Sequence, residues 1–267
     1  MQRLALDHIT VVDADPIALA EAARGAGCDG ICLFMEPMAV LPLMPRFDLY
    51  GDRAARKALK ARMDDLGIAL DVAYPFTLAG RTTVSDFAPA MDCAAELGAG
   101  VLNVLLYDRD AQRRLDTLAA FGELAAGHGL RVGVEFYPSS QVRSLAEALA
   151  LVEAAGPPER VAINVDLLHL MRSGGTLAEL AAAPAERICY GQISDAPLAA
   201  PADPDLEASS QRLLPGEGQF DVAGFVRALP PGCLLSVEIP RDDAVRASVS
   251  LAERAEQAVG SVRRALA

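Results

Sequence analysis

Basic residues are scarce in this chain: 24 Lys and Arg stand against 36 Asp and Glu, for a formal net charge of −12 and a pI near 4.7. Such a surface repels polyphosphate backbones, so no nucleic-acid partner is expected. Histidine is scarcer still. His8, His128 and His169 are too few for a His-rich zinc cluster. The five cysteines (Cys28, Cys32, Cys93, Cys189 and Cys233) form no Cys-x-x-Cys pair and lie mostly in or beside apolar runs, which reads as reduced core thiols. No uncharged apolar run reaches the roughly 18 residues that a membrane span needs. The opening stretch MQRLALDHITVVDADP lacks a basic region followed by a long apolar one, so no signal peptide is expected and the location is read as cytoplasmic. No Gly-rich phosphate loop is evident either, and a phosphorylated substrate is not expected.

What is present is a long alternation of apolar and alanine-rich segments. With 267 residues, 52% of them hydrophobic and 22% charged, the chain carries enough apolar material for a large core. Apolar, often β-branched stretches near 4–11, 29–35, 68–74, 100–106, 131–136, 161–166, 187–193 and 233–239 predict strands. Helix-period segments near 15–26, 53–66, 83–97, 110–128, 144–155, 175–183, 221–229 and 244–266 separate and follow them. Gly27, Gly67, Gly98 and Gly129 stand where helices end in left-handed caps. Eight strand–helix units predict an α/β fold, a single (β/α)₈ TIM barrel of about 250 residues. No linker or composition shift divides it, so one catalytic domain over 1–267 is expected. Two connections are long, 36–52 and 195–219, and both follow strand C-terminal ends, the face on which barrels build their sites. Pro and Met in the first suit an apolar lid.

Polar residues stand at the ends of four consecutive strands. Strand 5 reads RVGVEFYP with Glu135, and strand 6 reads VAINVDLLH with Asp166 and His169. Strand 7 reads ICYGQISDAP with Gln192 and Asp195, and strand 8 reads LLSVEIPR with Glu238 and Arg241. In a barrel these positions converge at the top of the pore. Three carboxylates and an amide in an apolar setting repel one another, and burying even one unpaired carboxylate costs several kcal/mol. A single divalent cation resolves the conflict, and oxygen-rich ligation favours Mg²⁺, Mn²⁺ or a similar hard ion, with Zn²⁺ or Co²⁺ as further candidates. Taken alone, each residue has an ordinary reading: Asp166 as a helix cap, Gln192 as a satisfied core amide, the glutamates as ion-pair partners. His169 lies just past its strand, able to swing over the site. His128 lies at the GHGL helix end and is expected to interact with the helix dipole. His8 and Thr10 alternate with apolar neighbours, and His8, Asp195 and Arg241 are candidate substrate contacts.

The stretches GVEF, INVDLLH, YGQISDAP, LPGEG and LSVEI together resemble the xylose isomerase-like TIM barrels, grouped as sugar phosphate isomerases/epimerases, over nearly the whole chain. Most of that family has His where Gln192 stands. The branch with Gln includes bacterial 3-dehydroshikimate dehydratases, which also have an Arg three residues before PGxG, as Arg212 stands before Pro215. The resemblance implies metal ligands at Glu135, Asp166, Gln192 and Glu238, and a catalytic His at His169. Two positions depart from the branch. Its QPFR, whose Arg helps to hold a substrate carboxylate, is YPFT here, with Thr77 in place of that Arg and Arg81 four residues on. A Ser of the branch is replaced by Ala208. Both departures touch substrate recognition, not the metal.

These residues suit proton removal beside a ketone through a metal-stabilised enolate, with Glu135, His169, Glu238 and Arg212 as catalytic candidates and Arg212 holding an anionic oxygen. Isomerisation, epimerisation and dehydration share that step. The leading expectation is a metal-dependent isomerase or epimerase acting on a small polyhydroxy-keto, sugar-like substrate, and the alternative is a 3-dehydroshikimate dehydratase-type lyase. A non-catalytic metabolite-binding barrel is a third reading. An endonuclease IV-like role would need several His ligands and a basic groove, which are missing. Nothing in the sequence opposes a homo-oligomer.

Overall fold

Strand propensity and helix punctuation carry over directly into the computed structural model, which describes residues 2–267. Eight strands form: β1 (Leu4–Asp7), β2 (Gly30–Phe34), β3 (Ala69–Leu78), β4 (Val101–Leu106), β5 (Arg131–Glu135), β6 (Val161–Asp166), β7 (Ile188–Ile193) and β8 (Leu234–Val237). Each pairs in parallel with the next, and β8 pairs with β1, so the sheet closes into the expected (β/α)₈ barrel. Closure leaves no open sheet edge. The major core lies between the sheet and the helices, with Phe121, Phe225, Leu19 and Leu59 fully buried. Each such side chain contributes about 1.5–3 kcal/mol of burial energy. A second cluster, including Ala5, Cys32, Val72 and Tyr190, fills the barrel interior beneath the C-terminal face. All five thiols are free.

Helix starts are set by side chains that accept backbone N–H groups. Asp15, Asp52, Asp110, Ser144, Thr176 and Ser250 each do so at an N-cap. At the far end of Arg53–Leu66, Gly67 takes φ of 65°, a left-handed conformation that a side chain would strain.

Four local expectations need correction. β1 stops at Asp7, whose carboxylate accepts the Ile9 N–H and turns His8–Val11 into a 3₁₀ segment, so His8 and Thr10 do not alternate on a strand. β3 runs on to Leu78 through Pro75, at the point where its pairing with β4 shifts register and a missing N–H costs no ladder bond. Short helices at Leu167–Arg172 and Pro204–Ser210 were not expected. The last predicted helix divides into Asp242–Arg246 and Leu251–Ala265, because Ser250 caps a new start.

Candidate active site

β5, β7 and β8 bring Glu135, Gln192 and Glu238, at or just past their ends, into one cavity of about 630 Å³ at the C-terminal face, which His169 beyond β6 also lines, while Asp166 at the end of β6 is buried behind it. Register does the first part of the work: Glu135 pairs with Asn164, and Asp166 pairs with Gln192. Asn103 on β4, a lone amide in an apolar strand, donates to Glu135 Oε2 at 2.5 Å. On the other oxygen, His169 Nε2 lies 3.5 Å from Glu135 Oε1. The His169 ring is placed by Asp166, which N-caps Leu167–Arg172 by accepting the His169 N–H at 3.0 Å. Tyr137 packs against that ring at 5.2 Å between centroids, and its hydroxyl is bonded to that of Tyr107.

Arg212 enters from the loop after β7 and is only 2% exposed. It donates through Nη1 to Asp166 Oδ2 at 2.6 Å, through Nη2 to Glu238 Oε1 at 2.9 Å and through Nε to the Ala208 carbonyl at 2.9 Å. Burial opposes the Arg212 charge, but Asp166 and Glu238 outweigh it and raise its pKa. Burial likewise pushes Asp166 up, yet Arg212 and His169 prevail and hold that carboxyl below the usual range. Glu238 goes the other way. Burial, reinforced by Asp7, Asp166 and Glu135, pushes it well above its ordinary value despite Arg212. Its neighbour Gln192 donates an amide N–H to it and accepts from Asn164.

One ligand atom each from Glu135, Asp166 and His169 lies within 4.8 Å of the other two, and all three residues are buried. This gathered trio differs from the expected four ligands by including the imidazole. Gln192 and Glu238 line the same cavity, engaged with one another and, for Glu238, with Arg212. Three buried carboxylates thus face a single guanidinium. That shortfall of positive charge, with a mixed oxygen and nitrogen donor set, fits one divalent cation.

Three expected substrate contacts do not line the cavity. His8 is fully buried, with Nε2 2.9 Å from the Ala14 carbonyl and its ring stacked on Phe47, and burial lowers its pKa to about 4. Asp195 accepts the N–H groups of Ala196 at 2.8 Å, Gly216 at 2.9 Å, and Gly218 and Phe220 at 3.0 Å, which makes it the organiser of the LPGEG turn. A Cβ on Gly218 would come within 2.6 Å of the Ala196 carbonyl oxygen, so that position requires glycine. Arg241 pairs with Gln211 through an isolated bridge and faces a separate crevice. His128 caps its helix and sits 2.9 Å from Asp92. Thr77 and Ala208 do line the cavity.

Residues that sequence reading passed over are Asn103, Asn164, Tyr74, Tyr107, Tyr137 and Asp7. Asn103 carried a usable signal, being polar within VLNVLL. Tyr74 and Asp7 carried none, since their pairing joins β3 to β1 across the barrel.

The model of the xylose isomerase-like TIM barrel family matches residues 20–265. Two curated relatives, each named 3-dehydroshikimate dehydratase, come from Pseudomonas aeruginosa and Pseudomonas putida. They are 36% identical over 221 residues and 27% identical over 220, each alignment covering 77% of this chain. The chain spans 32% of the length of either relative. A solved xylose isomerase-like TIM barrel/4-hydroxyphenylpyruvate dioxygenase fusion protein superposes with a TM-score of 0.79 at 26% identity, covering 98% of this chain and 42% of that one.

Proposed function

The chain belongs to the xylose isomerase-like TIM barrel family, and from that premise we propose a divalent-metal-dependent enzyme that moves a proton beside the ketone of a small polyhydroxylated substrate, with isomerisation or epimerisation as the outcome. The reading rests above all on Glu135, Asp166 and His169 offering ligand atoms within 4.8 Å of one another, with Glu135 and His169 lining the cavity. Those residues, with Gln192 and Glu238 beside them, would hold the cation, Mg²⁺ or Mn²⁺ by their oxygen content and Zn²⁺ or Co²⁺ by the imidazole. Bound there, such an ion supplies Lewis-acid polarisation of a ketone oxygen.

The protein's own groups do the rest. Asn103 fixes one oxygen of Glu135 and so sets the direction in which the carboxylate works. Where the oxygens of Glu135, Asp166, Gln192 and Glu238 hold the ion, the His169 imidazole, packed on Tyr137 and within 3.5 Å of Glu135, is left free to carry the proton. Arg212 Nη2 retains an N–H beyond its bond to Glu238, available to an oxygen that gains negative charge. Phe34, Met38 and Leu41 line the cavity and keep water from the reacting carbon.

A second outcome, loss of a β-hydroxyl as in a dehydratase-type lyase, is favoured by the name that both Pseudomonas relatives carry. One experiment separates these. Protein dialysed against Mn²⁺ is incubated in D₂O with polyhydroxy ketones, and proton NMR follows exchange at the carbon beside the carbonyl. Exchange is expected, and Glu238→Gln should slow it at least about 100-fold while circular dichroism stays unchanged. Absence of exchange with every ketone would refute the reading. Aromatic absorbance appearing from 3-dehydroshikimate alone would move it to the lyase.

A further inference from the structure

We propose that Asn164 is a positioning residue for the cation site, and that its side chain decides which end of the Gln192 amide is offered there. The inference rests on the proposed function, in which a divalent cation binds beside Gln192. Only the oxygen of an amide ligates a hard metal ion, while its NH₂ end repels one, and the two ends have the same shape. A Gln that is to serve as a ligand therefore needs neighbours that tell its ends apart. Asn164 and Glu238 do so. Asn164 Nδ2 donates to Gln192 Oε1 on one side, and Gln192 Nε2 donates to Glu238 Oε2 on the other. Oε1 keeps a second lone pair for the cation.

Asn164 is fully buried beneath the site. It stands on β6 two residues before Asp166, on the same face of the strand, and opposite Glu135 by register. Both of its N–H groups are engaged. The second reaches Asn103 Oδ1 at 3.4 Å, and Asn103 in turn donates to Glu135. Its own Oδ1 is buried without a hydrogen-bond partner among the described residues. Asn164 is thus held by what it donates, although an unpaired buried carbonyl costs stability. Packing alone would be served by the Val, Ile or Ala found elsewhere in VAINVD. The donor chain from Asn164 through Gln192 ends on Glu238, whose other oxygen takes Arg212, so both oxygens of that carboxylate are oriented.

Mn²⁺ is titrated calorimetrically into the wild-type protein, Asn164→Leu, Gln192→Ala and the double variant. Asn164→Leu is expected to weaken Mn²⁺ binding about tenfold, the usual worth of a residue that orients a ligand. In the Gln192→Ala background the same change should weaken it less than about threefold, because the amide that Asn164 orients is gone. A merely structural Asn164 would cost the same affinity in both backgrounds, and that result would overturn the proposal. So would an Asn164→Leu affinity within about threefold of wild type. Where circular dichroism shows that the leucine variant does not fold, Asn164→Ser takes its place, since the shorter side chain cannot span to Gln192 and Asn103 together. Wild-type protein that takes up no Mn²⁺ would overturn this proposal together with the metal reading. Mn²⁺ uptake and D₂O exchange that are both indifferent to Asn164 would remove only the positioning role.

Discussion

At the scale of single residues, the molecule separates groups that look alike in the sequence. His8 and His169 both lie near strand ends, yet His8 is sealed against Ala14 and Phe47 while His169 faces the cavity beside Glu135. Burial lowers the His8 pKa from 6.5 to about 4. The unfolded chain accepts a proton there that the folded chain refuses, so folding stability falls as pH drops from about 6.5 toward 4. The loss approaches about 3 kcal/mol. His8→Gln should flatten this part of the curve, as urea titrations between pH 7 and pH 4 would reveal; an unchanged slope would assign the acid sensitivity elsewhere. Asp195 makes a similar contrast with Asp166. Both are buried, but four backbone N–H groups engage Asp195, whereas Asp166 keeps its second oxygen for Arg212.

Among the elements, the loop after β7 does more than its sequence suggests. Its helix Pro204–Ser210 is pinned to Leu167–Arg172 by a bidentate pair in which Arg172 Nε and Nη2 each lie 2.7 Å from a Glu207 oxygen, with both side chains buried. The same guanidinium lies over the Phe220 ring at 5.4 Å. This clamp ties the segment bearing His169 to the segment bearing Arg212. Removing one partner leaves a buried, unpaired charge, so Glu207→Ala should cost about 3–5 kcal/mol. Asp221→Ala breaks the exposed pair with Arg227 at 3.7 Å but also removes the N-cap of Val222–Ala228, and should cost only about 1 kcal/mol, chiefly through the cap. Chemical denaturation of the two variants measures the difference. Equal losses would mean that the clamp is not rigid.

The whole molecule accounts for part of its acidity through construction. Asp15, Asp52, Asp110, Asp166, Asp203 and Asp221 all cap helices, which the alternating architecture requires again and again. No helix among the described residues is long and apolar enough to cross a membrane. The barrel gathers Glu135, Asp166 and Glu238 from strands far apart in the chain and stores their repulsion at one end. A cation bound to the native state alone therefore stabilises the entire fold. Mn²⁺ at a hundred times its Kd should add about 2.7 kcal/mol, read as a rise in melting temperature that EDTA reverses. A melting curve indifferent to both would remove the metal from the proposed function.

The periodicities of the sequence determined the alternation of elements, and with it the barrel, because strand and helix formation depend on near neighbours. Five of the eight strands lie where local pattern placed them with at most a residue trimmed at either end, β8 stops two residues short at Val237, and GVEF, INVDLLH, ICYGQISDAP and LLSVEI marked the polar strand ends. β1 was shorter and β3 longer than expected, since an Asp side chain ended one and a register shift carried the other past a proline. Only tertiary structure decided which polar residues share a space. Register brought Asn103 to Glu135, closure brought Asp7 to Tyr74, and a long loop carried Arg212 into contact with Asp166 and Glu238. The physical reason is separation along the chain. A strand end can be read from its neighbours, but the partner of a buried charge is chosen by packing between segments tens of residues apart.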